Sequence, residues 1–398
     1  MPMDQCEYCC PHLDAYALLN QLIAVKDLQS ANHSPLYPTP PPVSMAVIHC
    51  FGAGLVGSFV AKKLADSGHE VHVHDLNPSG AVVGYPNITI HQGDAQEACE
   101  ELDVEYEHVD IAVNMLPGNI GHAITTIMAE SGIPTVDLSF SELTADRDDE
   151  KARDWGARVL WDVGIAPGLS NMLLAEAYRV MGPLQKAEVR VGGNPTGPTG
   201  GWNYMAPFSP KDVIAEYTRP ARVVREGEQV TLPALSERHM IEVPERGQME
   251  AFLTDGLRSV LNSIPAVEMS EYTVRWPGHI QKYIDERDSG DLNEEKLLHE
   301  WWFNPKTPEF TWMEVTATDR DGNCMRWEVS DYGGDDGSSM ARTTGLVTVG
   351  CVEAWLDNPN MLPPGVHAPE ALAPEVVSRI IDTMRSERVC IEGPDIVL

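Results

Sequence analysis

Between Gly52 and Gly57 the chain reads GAGLVG, which is the spacing G-x-G-x-x-G. AVIHCFG ahead of it has the pattern of a buried strand, and SFVAKKLADSG behind it has helical periodicity. A further strand pattern, HEVHVHD, ends on Asp75, eighteen residues past Gly57. Strand, glycine turn, helix, strand and acid in this order form a dinucleotide site. Gly52 permits the tight turn, Gly54 lets the backbone approach a pyrophosphate, and Gly57 lets the helix close on the strand. Ala53, Leu55 and Val56 complete the turn, where the helix N-terminus offers N–H groups and partial positive charge to phosphate. Asp75 can hydrogen-bond both ribose hydroxyls of NAD and opposes the 2′-phosphate of NADP, so NAD is expected and NADP is the less favoured cofactor. The rival reading is a tight βα turn that binds nothing. Asp94 and Ala95, ending ITIHQGDA, fall where the adenine side of such a site lies, and Leu116 and Pro117 in VDIAVNMLPG fall near the nicotinamide.

These residues need a scaffold, and the rest of the chain supplies one. GIPTVDLSF and ARVLWDVGIAPG continue the alternation of strands with helices, which predicts an α/β fold with a Rossmann-type, doubly wound parallel sheet over residues 45–168. KAEVRVGGNP, VTLPAL, EYTVRWPGH, FTWMEVTATDR and CMRWEVSDYG are β-rich with fewer helices, predicting an inserted α/β substrate domain of mixed sheet over 169–344. LVTVGCVEAWLDN and PEVVSRIIDTMRSE read as helices, in a segment 345–398 that returns to the Rossmann part. Residues 1–44 read as an N-terminal extension: an amphipathic helix over 13–28, then the proline-rich linker SPLYPTPPPV.

Composition narrows the function. The formal net charge of −32 repels nucleic acid and anionic lipid over most of the surface, and no stretch has the length of uninterrupted apolar sequence that a membrane span needs. Eight scattered cysteines suit a reducing cytoplasm better than a disulfide framework. CEYCCPH, residues 6–12, lacks the second half-site that a closed zinc tetrahedron requires. His72 and His74 alternate along the second strand and pack beside Asp75 rather than holding a metal, so no metal is expected. No HExxH, GxSxG or phosphate loop occurs.

From Met45 onward the chain resembles the saccharopine dehydrogenase family, most closely its L-lysine 6-dehydrogenase type. The resemblance is carried by the order and spacing of GAGLVG, VNMLPG, VDLSF, DVGIAPGLSN, RVGGNP, FSPKDVIAEYTRPARVVREGE, EAFLTDGL, TVRWPGH and SMARTTG. It implies a Rossmann domain, an inserted substrate domain, and NAD(P)-dependent oxidation at a C–N bond of a small-molecule amino acid. In the lysine 6-dehydrogenase type the side-chain amine becomes an imine, which hydrolyses to the semialdehyde. The alternatives are a saccharopine reductase or carboxynorspermidine dehydrogenase, which act on a secondary amine and often prefer NADP, and, in another class, a non-catalytic nucleotide-sensing protein. A homodimer is expected.

Amine oxidation needs a base to free the nitrogen lone pair, and an amino-acid carboxylate calls for an arginine fork. The base candidate is His279 in TVRWPGH, read as a turn residue; Asp162 in DVGIAPG would hold the substrate amine or a catalytic water, and Tyr217, placed with Arg219 just after a short helix that begins near Ser209, is a further catalytic candidate. Asp162 reads equally as part of a structural crossover. Arg219 is the leading carboxylate clamp, its rival role being an ion pair with a nearby acid. Arg275 and Asn171 are further substrate contacts, and Arg342 is a second clamp or a contact bridging the domains.

Overall fold

The computed structural model describes residues 45–102, 108–197 and 199–398. The readings made for residues 1–44, including the CEYCCPH cluster, lie outside the described residues.

The glycine turn sits in a parallel sheet. Strand β1 (Val47–Phe51) is flanked by β2 (Glu70–Asp75) on one side and β4 (Ile111–Asn114) on the other. Beyond them lie β3 (Ile88–Gln92) on one edge, then β5 (Thr135–Asp137) and β6 (Arg158–Leu160) on the other. A seventh strand, β15 (Gly365–His367), completes the order β15-β6-β5-β4-β1-β2-β3. Every residue of IAVN and all but the first of VIHCF are buried, which is why these strands read as apolar runs rather than alternating ones. Strand order reverses between β1 and β4, and a crevice opens there at the carboxyl ends.

The second sheet is mixed. Strands β7 (Leu184–Pro195) and β12 (Ala266–Arg275) run parallel at its centre. Antiparallel partners follow on both sides: β11 (Gly247–Leu253) and β10 (His239–Val243) beyond β12, then β13 (Glu309–Asp319), β14 (Cys324–Asp331) and β16 (Cys390–Glu392) beyond β7. A hairpin of β8 (Ala221–Arg225) and β9 (Glu228–Leu232) joins β12 from the side.

The C-terminal segment holds the expected helices, Ser339–Asp357 and Pro374–Ser386, but also a strand in each sheet. The helix Ser339–Asp357 runs through position 344 without a break and packs against the helix Leu55–Asp66 that follows the glycine turn. Gly345 allows the close crossing, since a Cβ there would sit 2.4 Å from the Phe59 ring. One apolar core unites both sheets, drawing Ile48 and Val113 from the first, Val189 and Val315 from the second, and Leu173 and Val347 from the helices between. Among the described residues no helix is long and apolar enough to cross a membrane.

A buried ion pair also crosses this junction. Arg258, in the connection between β11 and β12, donates from Nε to Asp162 Oδ2 at 2.7 Å and from Nη2 to Oδ1 at 3.1 Å. Its Nη1 donates to the Ser141 carbonyl at 2.6 Å. Both side chains are essentially inaccessible, at 1% and 0%. Removing one partner strands a charge in apolar surroundings. Arg258→Met should therefore destabilise the protein by about 3–5 kcal/mol, read as a lower midpoint in urea unfolding, and Arg258→Met with Asp162→Leu should recover much of that loss.

Candidate active site

The turn after β1 is shaped by close approaches. Gly52 has φ +100°, and a Cβ there would lie 2.9 Å from the Met115 carbonyl oxygen. A Cβ on Gly57 would lie 2.3 Å from the Gly52 oxygen, whereas nothing lies within 4 Å of one on Gly54. The outer two glycines thus seat the helix on the sheet, and the middle one faces open space. Asp75 closes the arrangement from β2, with Oδ2 accepting the Ala53 N–H at 2.6 Å and Oδ1 the Asn77 N–H at 2.6 Å. Each oxygen keeps a lone pair, so an open glycine, a helix N-terminus and a carboxylate on the rim fit a dinucleotide.

This crevice continues into a cavity of about 510 Å³ bounded by both sheets. Gly52, Gly54, Leu55, Val56, Gly57, Asp75, Leu116 and Pro117 line its nucleotide end. Phe140, Val191, Ala206, Phe208 and Met340 make much of the remainder apolar. Asp212, Glu216 and Arg275 are the charged residues of that wall, and Asp162 borders it with its side chain closed off. Asp162 is satisfied by Arg258. Asp212 accepts the Gly118 N–H at 3.2 Å, linking the helix Pro210–Thr218 to the turn beside the expected nicotinamide, and burial pushes its carboxyl up to about 6. Glu216 stands one helical turn further along. Burial drives its pKa up to about 7, against the opposing pull of Arg275, whose Nη2 is 3.8 Å away.

Arg275 is held from behind. Its Nε donates to the Tyr217 hydroxyl at 2.9 Å and its Nη1 to the Val274 carbonyl at 3.0 Å. Its guanidinium lies 4.5 Å from the Tyr204 ring centre. His279 Nδ1 lies 2.9 Å from the Trp202 carbonyl, which can only accept, so Nδ1 carries the proton. Nε2 is then the acceptor for the Tyr217 O–H at 3.0 Å. Burial among Trp202, Tyr204 and Trp301 lowers the His279 pKa to about 3, keeping the ring neutral.

The sequence candidates are therefore spread over different settings. His279 opens the helix His279–Ser289 instead of lying in a turn, and Tyr217 lies within the last turn of its helix rather than after it; neither lines the cavity. Arg219 caps that same helix and is not itself a lining residue of the cavity, though its guanidinium lies 4.8 Å from the ring centre of Phe140, which is one. Its Nη1 is buried without a hydrogen-bond partner among the described residues. Arg342 is taken up by Asp331 and Asp336, Nε donating to Asp331 at 2.9 Å and Nη1 to Asp336 at 2.6 Å. Asn171 accepts the Gly168 N–H at 3.3 Å and donates to Ser259 at 3.0 Å, away from the wall. Asp94 caps the helix Ala95–Glu100 through the Gln96 N–H at 2.8 Å, and neither Asp94 nor Ala95 reaches the cavity. His72 and His74 stack with His49 and His91 across the first strands. No three His, Cys, Asp or Glu among the described residues are arranged to hold a metal ion.

Sequence reasoning passed over Asp212, Glu216, Thr273 and Arg258. The first two were open to it, because residues four apart share a helix face. Thr273 and Arg275 alternate on β12 and so share a sheet face.

Comparison with known proteins agrees with this architecture. The family model described as the saccharopine dehydrogenase NADP binding domain matches residues 48–159, and that of the saccharopine dehydrogenase C-terminal domain matches 164–389. Among solved structures, apo saccharopine dehydrogenase (L-Glu forming) from Saccharomyces cerevisiae is similar with a TM-score of 0.64 at 14% identity, over 88% of this chain and 100% of that one. Homospermidine synthase from Legionella pneumophila, in complex with NAD, is similar with a TM-score of 0.65 at 12% identity, over 88% of this chain and 92% of that one. At such identities the likeness is one of fold. With both family models matched in order along most of its length, around an NAD(P)-type nucleotide site, the chain belongs to the saccharopine dehydrogenase family.

Proposed function

We propose that this chain is an NAD-dependent dehydrogenase that oxidises the side-chain amine of an amino acid, with lysine the leading substrate. The observation that carries the reading is Glu216, a carboxyl poised near neutrality in the apolar wall of the cavity that the nucleotide turn opens into. A bound nicotinamide supplies the hydride acceptor. Glu216 takes the proton that masks the amine lone pair, without which hydride cannot leave the adjacent carbon. Arg275 steadies Glu216, and the Tyr217–His279 pair steadies Arg275; these are positioning roles. The apolar wall suits a methylene chain.

Arg219 anchors the α-carboxylate in this scheme. Of the arginines singled out from sequence, it is the one with a buried guanidinium nitrogen lacking a partner. A buried donor left unsatisfied is unfavourable by about 1–3 kcal/mol, which a carboxylate would relieve. Saccharopine carries several carboxylates and would need several cations. Here Arg258 and Arg342 are already engaged by acids, so a substrate with one carboxylate and one amine is the better match. Asp75 favours NAD, since a 2′-phosphate beside its carboxylate meets like charge.

Glu216→Gln should lower kcat/KM with lysine by about 10²–10⁴-fold, in a panel of amino acids and polyamines followed by nicotinamide reduction. In the wild type kcat/KM should rise through a pH near 7, and that step should vanish in the variant. The same carboxyl sets a stability trend. Its folded pKa lies above its ordinary 4.5, so its contribution is greatest below pH 4.5 and is lost as pH rises to about 7. The Gln variant should therefore gain on the wild type across that window in thermal unfolding.

Arg219→Ala should lose about 2–3 kcal/mol of transition-state binding, or roughly 30- to 150-fold in kcat/KM, with NAD affinity unchanged. Arg219→Lys should recover only part, because a point charge cannot pair both oxygens. NAD should raise the melting temperature at concentrations where NADP does not, and equal stabilisation by both would remove the argument from Asp75.

A further inference from the structure

Glu271 is buried in β12 and has no part in the scheme above. Its Oε2 lies 2.5 Å from Thr254 Oγ1 and accepts the Gly256 N–H at 3.2 Å. Thr254 Oγ1 lies 2.8 Å from Thr273 Oγ1, and Thr273 is in the cavity wall. A line of hydrogen bonds thus joins a buried carboxyl to the substrate cavity.

The line is built into the sheet. Glu271, Thr273 and Arg275 alternate on β12 and so share a face. Thr254 follows Leu253, which pairs with Tyr272, and its N–H donates to the Glu271 carbonyl at 3.3 Å. The connection can fold over the carboxyl only because residue 256 is glycine: a Cβ there would lie 2.6 Å from Glu271 Cδ.

Each hydroxyl has one proton to donate. With Glu271 protonated, its O–H donates to Thr254, Thr254 donates to Thr273, and the Thr273 proton is free for the cavity. With Glu271 ionised, Thr254 donates to the carboxylate and Thr273 donates to Thr254. The cavity then meets only lone pairs at Thr273. One proton at the buried end decides whether the wall donates or accepts.

We propose that Glu271, Thr254 and Thr273 form a proton relay and store for the amine site, taking up the proton that amine oxidation leaves in the cavity. The inference rests on the amine-oxidation reading. The substrate ammonium gives one proton to Glu216 and keeps the rest as iminium once hydride has left. That proton passes through cavity water to the Thr273 oxygen as Thr273 hands its own to Thr254, and Thr254 hands its own to the Glu271 carboxylate. No proton is created or lost, and both hydroxyls end neutral.

Burial pushes Glu271 up to about 8, raised further by the carboxylates of Glu216 and Asp255 and opposed by the bonds from Thr254 and Gly256. Asp255 faces it already paired with Arg222 at 2.9 Å, and Arg275 shares the strand face. The relay is thus full below a pH of about 8 and receptive above it.

The test compares wild type with Glu271→Gln and with Thr273→Val, which breaks the line at the cavity end while keeping the carboxyl. Oxidation by the wild type should show a second rising limb in kcat/KM near pH 8, above that of Glu216, and both variants should lose it while keeping the lower one. Separately from turnover, the infrared band of the protonated Glu271 carboxyl, identified by its loss in Glu271→Gln, should titrate near pH 8, and Thr273→Val should move that midpoint. Unchanged rate profiles in both variants with an unmoved midpoint overturn the relay. No turnover of any amine with a midpoint that still moves overturns the amine-oxidation reading instead, and supports the coupling of Glu271 to the cavity.

Discussion

A carboxyl group taken out of water must either find a cation or keep its proton, and the interior of this protein sorts its acids by that choice. Asp162 meets Arg258 in a two-bond ion pair that joins the two sheets. Glu216 has Arg275 at a distance too long for a hydrogen bond and the weaker pull of Arg219, and it stays poised near neutrality. Glu271 faces no cation closely and holds its proton past neutrality. One constraint thus yields a paired acid, an acid poised near neutrality and an acid that keeps its proton, the last two cast as base and proton store in the proposed scheme. The nucleotide turn contributes by forming one end of the cavity that Glu216 lines.

The arginines follow the same logic from the other side. Arg342 and Arg258 are consumed in holding elements together, and Arg275 spends its donors on Tyr217, Tyr204 and a carbonyl. Arg219 stacks on Phe140 with a nitrogen unpartnered among the described residues, which is why the proposed scheme gives it the carboxylate. His279 belongs to the architecture through Tyr217: a neutral imidazole with a fixed tautomer orients a phenol, which orients a guanidinium.

The glycine turn and its strands were legible because their signals are local: a glycine spacing, a period, an acid at a strand end. The short strand at Gly365–His367 was not, since three residues carry no periodicity and its pairing with β6 is supplied from far along the chain. Asp162 could be picked out, yet its role depends on Arg258, 96 residues away. His279 looked like a base because residue type suggests chemistry, whereas the aromatic cluster that neutralises it is assembled from distant segments. Asp212 and Glu216 were passed over: their spacing puts them on one helix face, but nothing local says that this face meets a cavity.

The most direct test is a crystal structure of Glu216→Gln with NAD and lysine bound together. The account predicts the side-chain nitrogen of lysine about 3 Å from residue 216, with its adjacent carbon toward the turn at Pro117 and the α-carboxylate on Arg219. Lysine bound in the opposite sense, with its α-carboxylate on Arg275 and its side-chain amine remote from residue 216, would contradict it.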